Sequence, residues 1–194
     1  MPATSRPEDV TDGPVDHGHT VLAIPVPELD AFVRERTAHY DADYLAADPT
    51  FGQAHVTVLG PWVRSPTPAD LAAVAQIASV ARPFAYRLAR LGTFPNGIIH
   101  LLPEPAGPFR TLTEAVVECF PSHPAYGGQF PDVTPHVTLD AAGAGLDEQA
   151  VEEMLGDLIP VSCRAELLQL QWWQAGHCHV QASWHLGETS GGMA

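Results

Sequence analysis

Two tetrapeptides, HVTV at 55–58 and HVTL at 136–139, occur in one chain of 194 residues. Each follows a loop and a small or turn-forming residue, Ala54 or Pro135, and each opens a short apolar run. Val and Thr favour a pleated, half-buried surface, so both tetrapeptides read as strands. Side chains alternate between the faces of a strand, which puts His55 and Thr57 on one face and Val56 and Val58 on the other. His136 and Thr138 share a face in the same way, with Val137 and Leu139 behind them. One copy is explained by strand propensity alone. Two copies, brought near one another, aim two imidazoles and two hydroxyls at one point.

The surroundings repeat as well. HTVLAIPV (19–26) is a β-rich run, and PELDAFVRERTAHY (27–40) carries Leu29, Phe32, Val33 and Arg36 at helical spacing behind Pro27. A polar loop leads to the first motif, and TPADLAAVAQIASV (67–80) then reads as a helix capped by Thr67. In the second round, PFAYRLARLGTF (83–94) and GIIHLLPEP (97–105) form a hairpin, PFRTLTEAVVECF (108–120) has Phe109, Leu112, Val116 and Phe120 at helical spacing, and an acidic helix over 146–160 with Asp147 as candidate cap follows the second motif. The runs 161–174 and 177–187 read as two long strands of a last hairpin joined at Ala175 and Gly176. Hairpin strands interrupted by helices predict an α+β fold with mainly antiparallel sheets, in two similar lobes. The expected layout is a flexible segment at 1–18, one compact unit at 19–187 and a flexible tail at 188–194.

Charge narrows the partners. The net charge is -14, with 23 acidic residues against nine basic ones, all of them Arg. Long nucleic acid is not an expected partner, because that affinity comes largely from Lys and Arg neutralising phosphates. A small phosphorylated ligand is compatible, since local donors act where a distant field is screened within about 10 Å. No apolar run approaches the roughly 20 residues that cross a bilayer. The start has neither a basic nor an apolar stretch, and Cys119, Cys163 and Cys178 form no CxxC pair. A cytoplasmic monomer with no membrane partner is expected.

Paired imidazoles suit hydrolysis of a strained phosphodiester. A neutral ring accepts the proton of attacking water, and a protonated ring supplies one to the departing ribose oxygen. Histidine, with an unperturbed pKa of about 6.5, reaches both states near neutrality. The threonine hydroxyls donate to the non-bridging phosphate oxygens. No metal or other cofactor is required. His177 and His179 in HCHV have zinc-ligand spacing, but a third ligand is not assured unless His185 or His100 approaches. QWWQ (171–174) most simply places one tryptophan in the core and one outward.

With both HxTx tetrapeptides in hand, together with AIPVPEL, AHVTVLGPW, PFAYRLARLGTFP, IIHLLPEP and PDVTPHVTL, the sequence resembles the two-histidine (2H) phosphoesterases, and within them the 2'-5' RNA ligase-like proteins. The resemblance spans about residues 20–187. It implies a bilobal α+β fold in which two mainly antiparallel sheets with flanking helices surround a central cleft. It also implies a cyclic phosphodiesterase or 2'-5' RNA ligase-like hydrolase that acts without metal on 2',3'-cyclic or 2'-5' linked phosphodiesters of a small nucleotide or short RNA terminus. His55 maps to the residue that protonates the leaving oxygen, His136 to the one that activates water, and Thr57 and Thr138 to phosphate donors. One departure is that Asp140 and alanines follow the second motif, where several relatives carry a basic residue. Arg64 or Arg110 are candidates to replace that cation, and Trp62, Tyr126 and Phe130 are candidates to stack a base. The missing cation also motivates an alternative, a repurposed fold that binds a small molecule or serves non-hydrolytic biosynthesis.

Overall fold

In the computed structural model, which describes residues 18–128, 133–143 and 146–188, both motifs form strands and the segments of helical spacing form helices. The elements in chain order are β1 (His19–Pro25), α1 (Pro27–Tyr40), β2 (His55–Leu59), α2 (Pro68–Val80), β3 (Phe84–Thr93) and β4 (Ile98–Glu104). They continue with α3 (Gly107–Cys119), β5 (Val137–Ala141), α4 (Glu148–Leu155), β6 (Val161–Ala165), β7 (Leu167–Trp173) and β8 (His179–His185). The caps are those the sequence announces. Thr67 and Asp70 close a reciprocal capping box at α2, and the Asp147 carboxylate accepts from the Ala150 amide at α4.

The two expected sheets are one. All eight strands join an antiparallel sheet in the order β6-β3-β4-β5-β2-β1-β7-β8. A bridge between Val56 of β2 and Val137 of β5 fuses what are otherwise two four-stranded halves. Each half carries its motif strand on its inner edge. The halves also share an irregularity: the register shifts between Leu22 and Ala23 where β1 meets β2, and between Ile99 and His100 where β4 meets β5.

The run 161–174 is also not one strand. It breaks at Glu166, where β6 turns to pair with β3 while β7 pairs with β1 and β8. Only β7 and β8 make the hairpin. In the sheet order β6 is first and β7 seventh, a separation of about 29 Å if the sheet were flat. Two peptide steps span at most about 7.6 Å. The sheet therefore curls until its far ends meet at Glu166.

The helices cross between halves. α1 precedes β2 yet packs on β5, and α3 precedes β5 yet packs on β2. Leu112 and Val116 of α3 are buried, and the Thr113 hydroxyl is shared between the Val58 carbonyl at 2.9 Å and the Phe109 carbonyl at 3.2 Å. On the other side Arg36 Nε donates to Asp140 Oδ2 at 2.5 Å, tying α1 to β5. Asp140 is 2% exposed, so the residue that follows the second motif is a buried anchor for a helix. Leu22, Val56, Leu101, Val137 and Leu168 belong to one hydrophobic cluster drawn from both halves.

Candidate active site

The predicted alternation is realised. His55, Thr57, His136 and Thr138 are half-buried, while Val56, Val58, Val137 and Leu139 are buried behind them. Antiparallel pairing through Val56 and Val137 sets His55 across from Thr138, and Thr57 across from His136. Directly opposed side chains of such strands lie about 5 Å apart at Cβ. The four groups thus occupy a square with the histidines on one diagonal and the threonines on the other.

Both imidazoles are oriented by the chain just before them. His55 Nδ1 lies 3.0 Å from the Gln53 carbonyl, and His136 Nδ1 lies 2.8 Å from the Thr134 carbonyl. A carbonyl only accepts, so each Nδ1 carries the proton and each neutral ring keeps its lone pair on Nε2. The same contact to the residue two positions back occurs at His100 and His179; the motif histidines are distinguished by where they stand.

Burial lowers the pKa of both, because it disfavours the charged ring. At His55 the carbonyls of Gln53 and Gly52 and the charge of Asp30 act against this. At His136 the Thr134 carbonyl acts against it, while His100 and His55 push further down.

His55, Thr57 and Thr138 line a cavity of about 430 Å³. Its other walls include Tyr40, Asp41, Tyr44 and Trp173. The Trp173 ring is 5.3 Å from that of His55, and Tyr44 stacks on Trp173 at 6.4 Å. His136 sits beside a second aromatic group, edge-on to Phe94 at 4.8 Å and to His100 at 5.4 Å. His100, 3% exposed, stacks on Phe94 at 3.8 Å.

A family model described as the 2'-5' RNA ligase superfamily matches residues 25–177. The chain belongs to that superfamily. Solved structures of similar fold include Escherichia coli LigT complexed with 3'-AMP, 17% identical with a TM-score of 0.52, covering 88% of this chain and 99% of LigT. LigT complexed with NADP+ gives 16% identity and a TM-score of 0.52, covering 88% of this chain and 98% of that one. TT0787 of Thermus thermophilus gives 22% and 0.57, covering 87% of this chain and 97% of that one. At these identities the likeness is one of fold. No curated protein matches the chain.

In this superfamily member the other sequence candidates are scattered. Trp62 is 4% exposed and packs edge-on against Phe120 at 5.1 Å, a core residue rather than a stacking surface. Arg64 is exposed and lies 5.7 Å over the Trp172 ring. Arg110 is exposed on α3. Tyr126 falls in a short 3-10 turn, Ala125–Gly128, and Phe130 lies outside the described residues. Among the described residues no three His, Cys, Asp or Glu side chains gather as a metal-ligand set.

Sequence reasoning missed Trp173, Tyr44 and the place of His100. Neither tryptophan of QWWQ enters the main core; both are half-buried, and Trp173 faces the cavity. A signal was available in β7, where Gln169, Gln171 and Trp173 recur at every second position. Gln169 Nε2 donates to the Thr50 carbonyl, Gln171 Nε2 to the Gly52 carbonyl, and Trp173 Nε1 to Gln171 Oε1. Polar residues spaced by two in an apolar strand are this ladder, which holds the loop leading to His55.

Proposed function

We propose that this protein is a metal-independent phosphodiesterase that hydrolyses a 2',3'-cyclic or 2'-5' phosphodiester of a nucleotide or short RNA, with His55 and His136 as acid and base. The observation that carries this reading is the diagonal placement of two imidazoles whose Nδ1 atoms are both tied back to carbonyls. In-line displacement at phosphorus needs the attacking and leaving oxygens on opposite sides. Diagonal histidines offer an Nε2 on each side of a phosphate held between them.

His136 acts as the base. Its neighbours His55 and His100 favour the neutral ring. Its Nε2 takes a proton from water as the water oxygen bonds to phosphorus. His55 is the acid, with Asp30 favouring its protonated form. It gives a proton to the ribose oxygen as the P–O bond breaks, leaving a phosphomonoester and a free hydroxyl. The two rings end with exchanged protonation and re-equilibrate with solvent. Thr57 and Thr138 donate to the non-bridging oxygens, where charge concentrates. Each proton transfer contributes about 10² to 10⁴-fold. Both rings favour the neutral form in the free protein, so the bound anion itself promotes the imidazolium that the acid step uses.

The fold neighbour solved with 3'-AMP supports a nucleotide as the occupant. Protein treated with EDTA is incubated with 2',3'-cyclic mononucleotides and with short RNAs bearing a cyclic phosphate end. Phosphomonoester formation that disappears in His55→Ala and in His136→Ala supports the reading. No turnover of any of these, or turnover indifferent to both substitutions, removes it.

A further inference from the structure

We infer that the site selects substrates with a single anionic group, a 2',3'-cyclic mononucleotide with a free 5'-hydroxyl over one carrying a 5'-phosphate, and that Asp41 sets this preference. The inference rests on the phosphodiesterase reading and narrows its substrate class. The cavity wall is chemically mixed. One part of it carries His55, Thr57 and Thr138, with the Trp173 ring beside His55 and Tyr44 stacked on Trp173; another is the C-terminus of α1, with Tyr40 and Asp41. A helix C-terminus carries partial negative charge, and the Asp41 carboxylate adds a full one at the same end. Burial raises the Tyr40 phenol pKa; the Thr37 side chain and the charge of Arg36 act against this and the charges of Asp140 and Asp41 with it, so Asp41 is felt at the cavity wall.

Four arginines are engaged elsewhere. Arg36, on the helix that forms this wall, is held by buried Asp140. Arg34 binds Asp30 and the carbonyls of Ala46 and Phe51, Arg164 binds Glu166, and Arg64 covers Trp172. Among the described residues no arginine lines the cavity, and the sequence contains no lysine. One phosphodiester monoanion is accommodated by hydroxyl donors and an imidazolium. A second phosphate in this cavity of about 430 Å³ meets the exposed Asp41 carboxylate with no arginine on the wall to offset it, a repulsion worth about two- to fivefold in water-like surroundings. The aromatic rings of Tyr44 and Trp173 instead favour a base.

The test compares kcat/KM for adenosine 2',3'-cyclic phosphate and its 5'-phosphorylated form, in wild type and Asp41→Asn, at low and high salt. The 5'-hydroxyl substrate is expected to lead by about two- to fivefold, with the ratio shrinking in Asp41→Asn and at high salt. A ratio near one, a preference for the 5'-phosphate, or a ratio indifferent to Asp41→Asn overturns the inference while leaving the phosphodiesterase reading standing. Calorimetric titration with adenosine 2'-monophosphate and adenosine 2',5'-bisphosphate makes the same comparison without turnover. Weaker binding of the bisphosphate supports the selection even if neither cyclic substrate reacts; equal or tighter binding, or no binding of either, overturns it.

Discussion

His55 stands across from Thr138 because Val56 and Val137 are bridge partners on antiparallel strands. Each threonine therefore faces the histidine of the other motif, and neither motif alone holds both imidazoles and both hydroxyls. The helices follow the same exchange, α1 lying on β5 and α3 on β2.

The hydroxyls are expected to matter in the transition state more than in binding. Thr57→Val and Thr138→Val keep the branched shape and remove a donor. Each is expected to lower kcat on a 2',3'-cyclic mononucleotide by about 10² to 10³-fold with a much smaller change in KM. Steady-state kinetics measure the split, and a change confined to KM contradicts the assigned role.

The pH dependence follows from the direction of the histidine shifts. Turnover needs one ring neutral and one protonated, so kcat/KM peaks between the two free-enzyme pKa values. Burial lowers both, so the peak lies below the ordinary histidine value of about 6.5 and activity falls on the alkaline side as the acid loses its proton. The bound anion favours imidazolium, so the kcat profile is displaced upward from that of kcat/KM. A kcat/KM maximum at or above about pH 7 contradicts this.

The His100 ring lies edge-on to His136 at 5.4 Å. Its presence lowers the His136 pKa. His100→Phe, which keeps a ring against Phe94, is expected to raise it and so move the acidic limb of kcat/KM to higher pH. An unmoved limb in a folded variant removes His100 from the tuning of the base. Gly92→Ala is expected to disturb the same ring, since an added Cβ would lie 3.0 Å from His100 Nε2.

The Arg36 and Asp140 pair is a stability prediction. Arg36→Ala strands a carboxylate that is 2% exposed, and leaving a buried charge unpaired costs about 3 to 5 kcal/mol. Urea denaturation is expected to show a loss of that size, and replacement of both residues by Met and Leu a much smaller one. Equal losses in the single and double variants contradict the pairing as its cause.

Local pattern made much of the fold legible. Helical spacing found α1, α2 and α3, caps at Thr67 and Asp147 placed α2 and α4, and alternation put the motif histidines and threonines on one face. What local pattern did not carry was the long-range pairing. The single sheet depends on Val56 meeting Val137, and the break at Glu166 depends on where β3 and β1 lie, which the apolar run 161–174 does not encode. Asp140 reads in sequence as a missing cation; only α1 lying across β5 reveals that it binds one. Trp173 became a cavity wall because the Gln169 and Gln171 ladder brings the loop before His55 against β7.

The central claim is that the two histidines work as one unit across the strand bridge. A double-mutant cycle on kcat/KM for a 2',3'-cyclic mononucleotide, with His55→Ala, His136→Ala and both together, measures that directly. Each single variant is expected to lose about 10² to 10⁴-fold, and the double variant little more than the worse single one, because a lone acid or base cannot complete the exchange. Losses that multiply across the cycle, or a single variant that retains wild-type activity, contradict it.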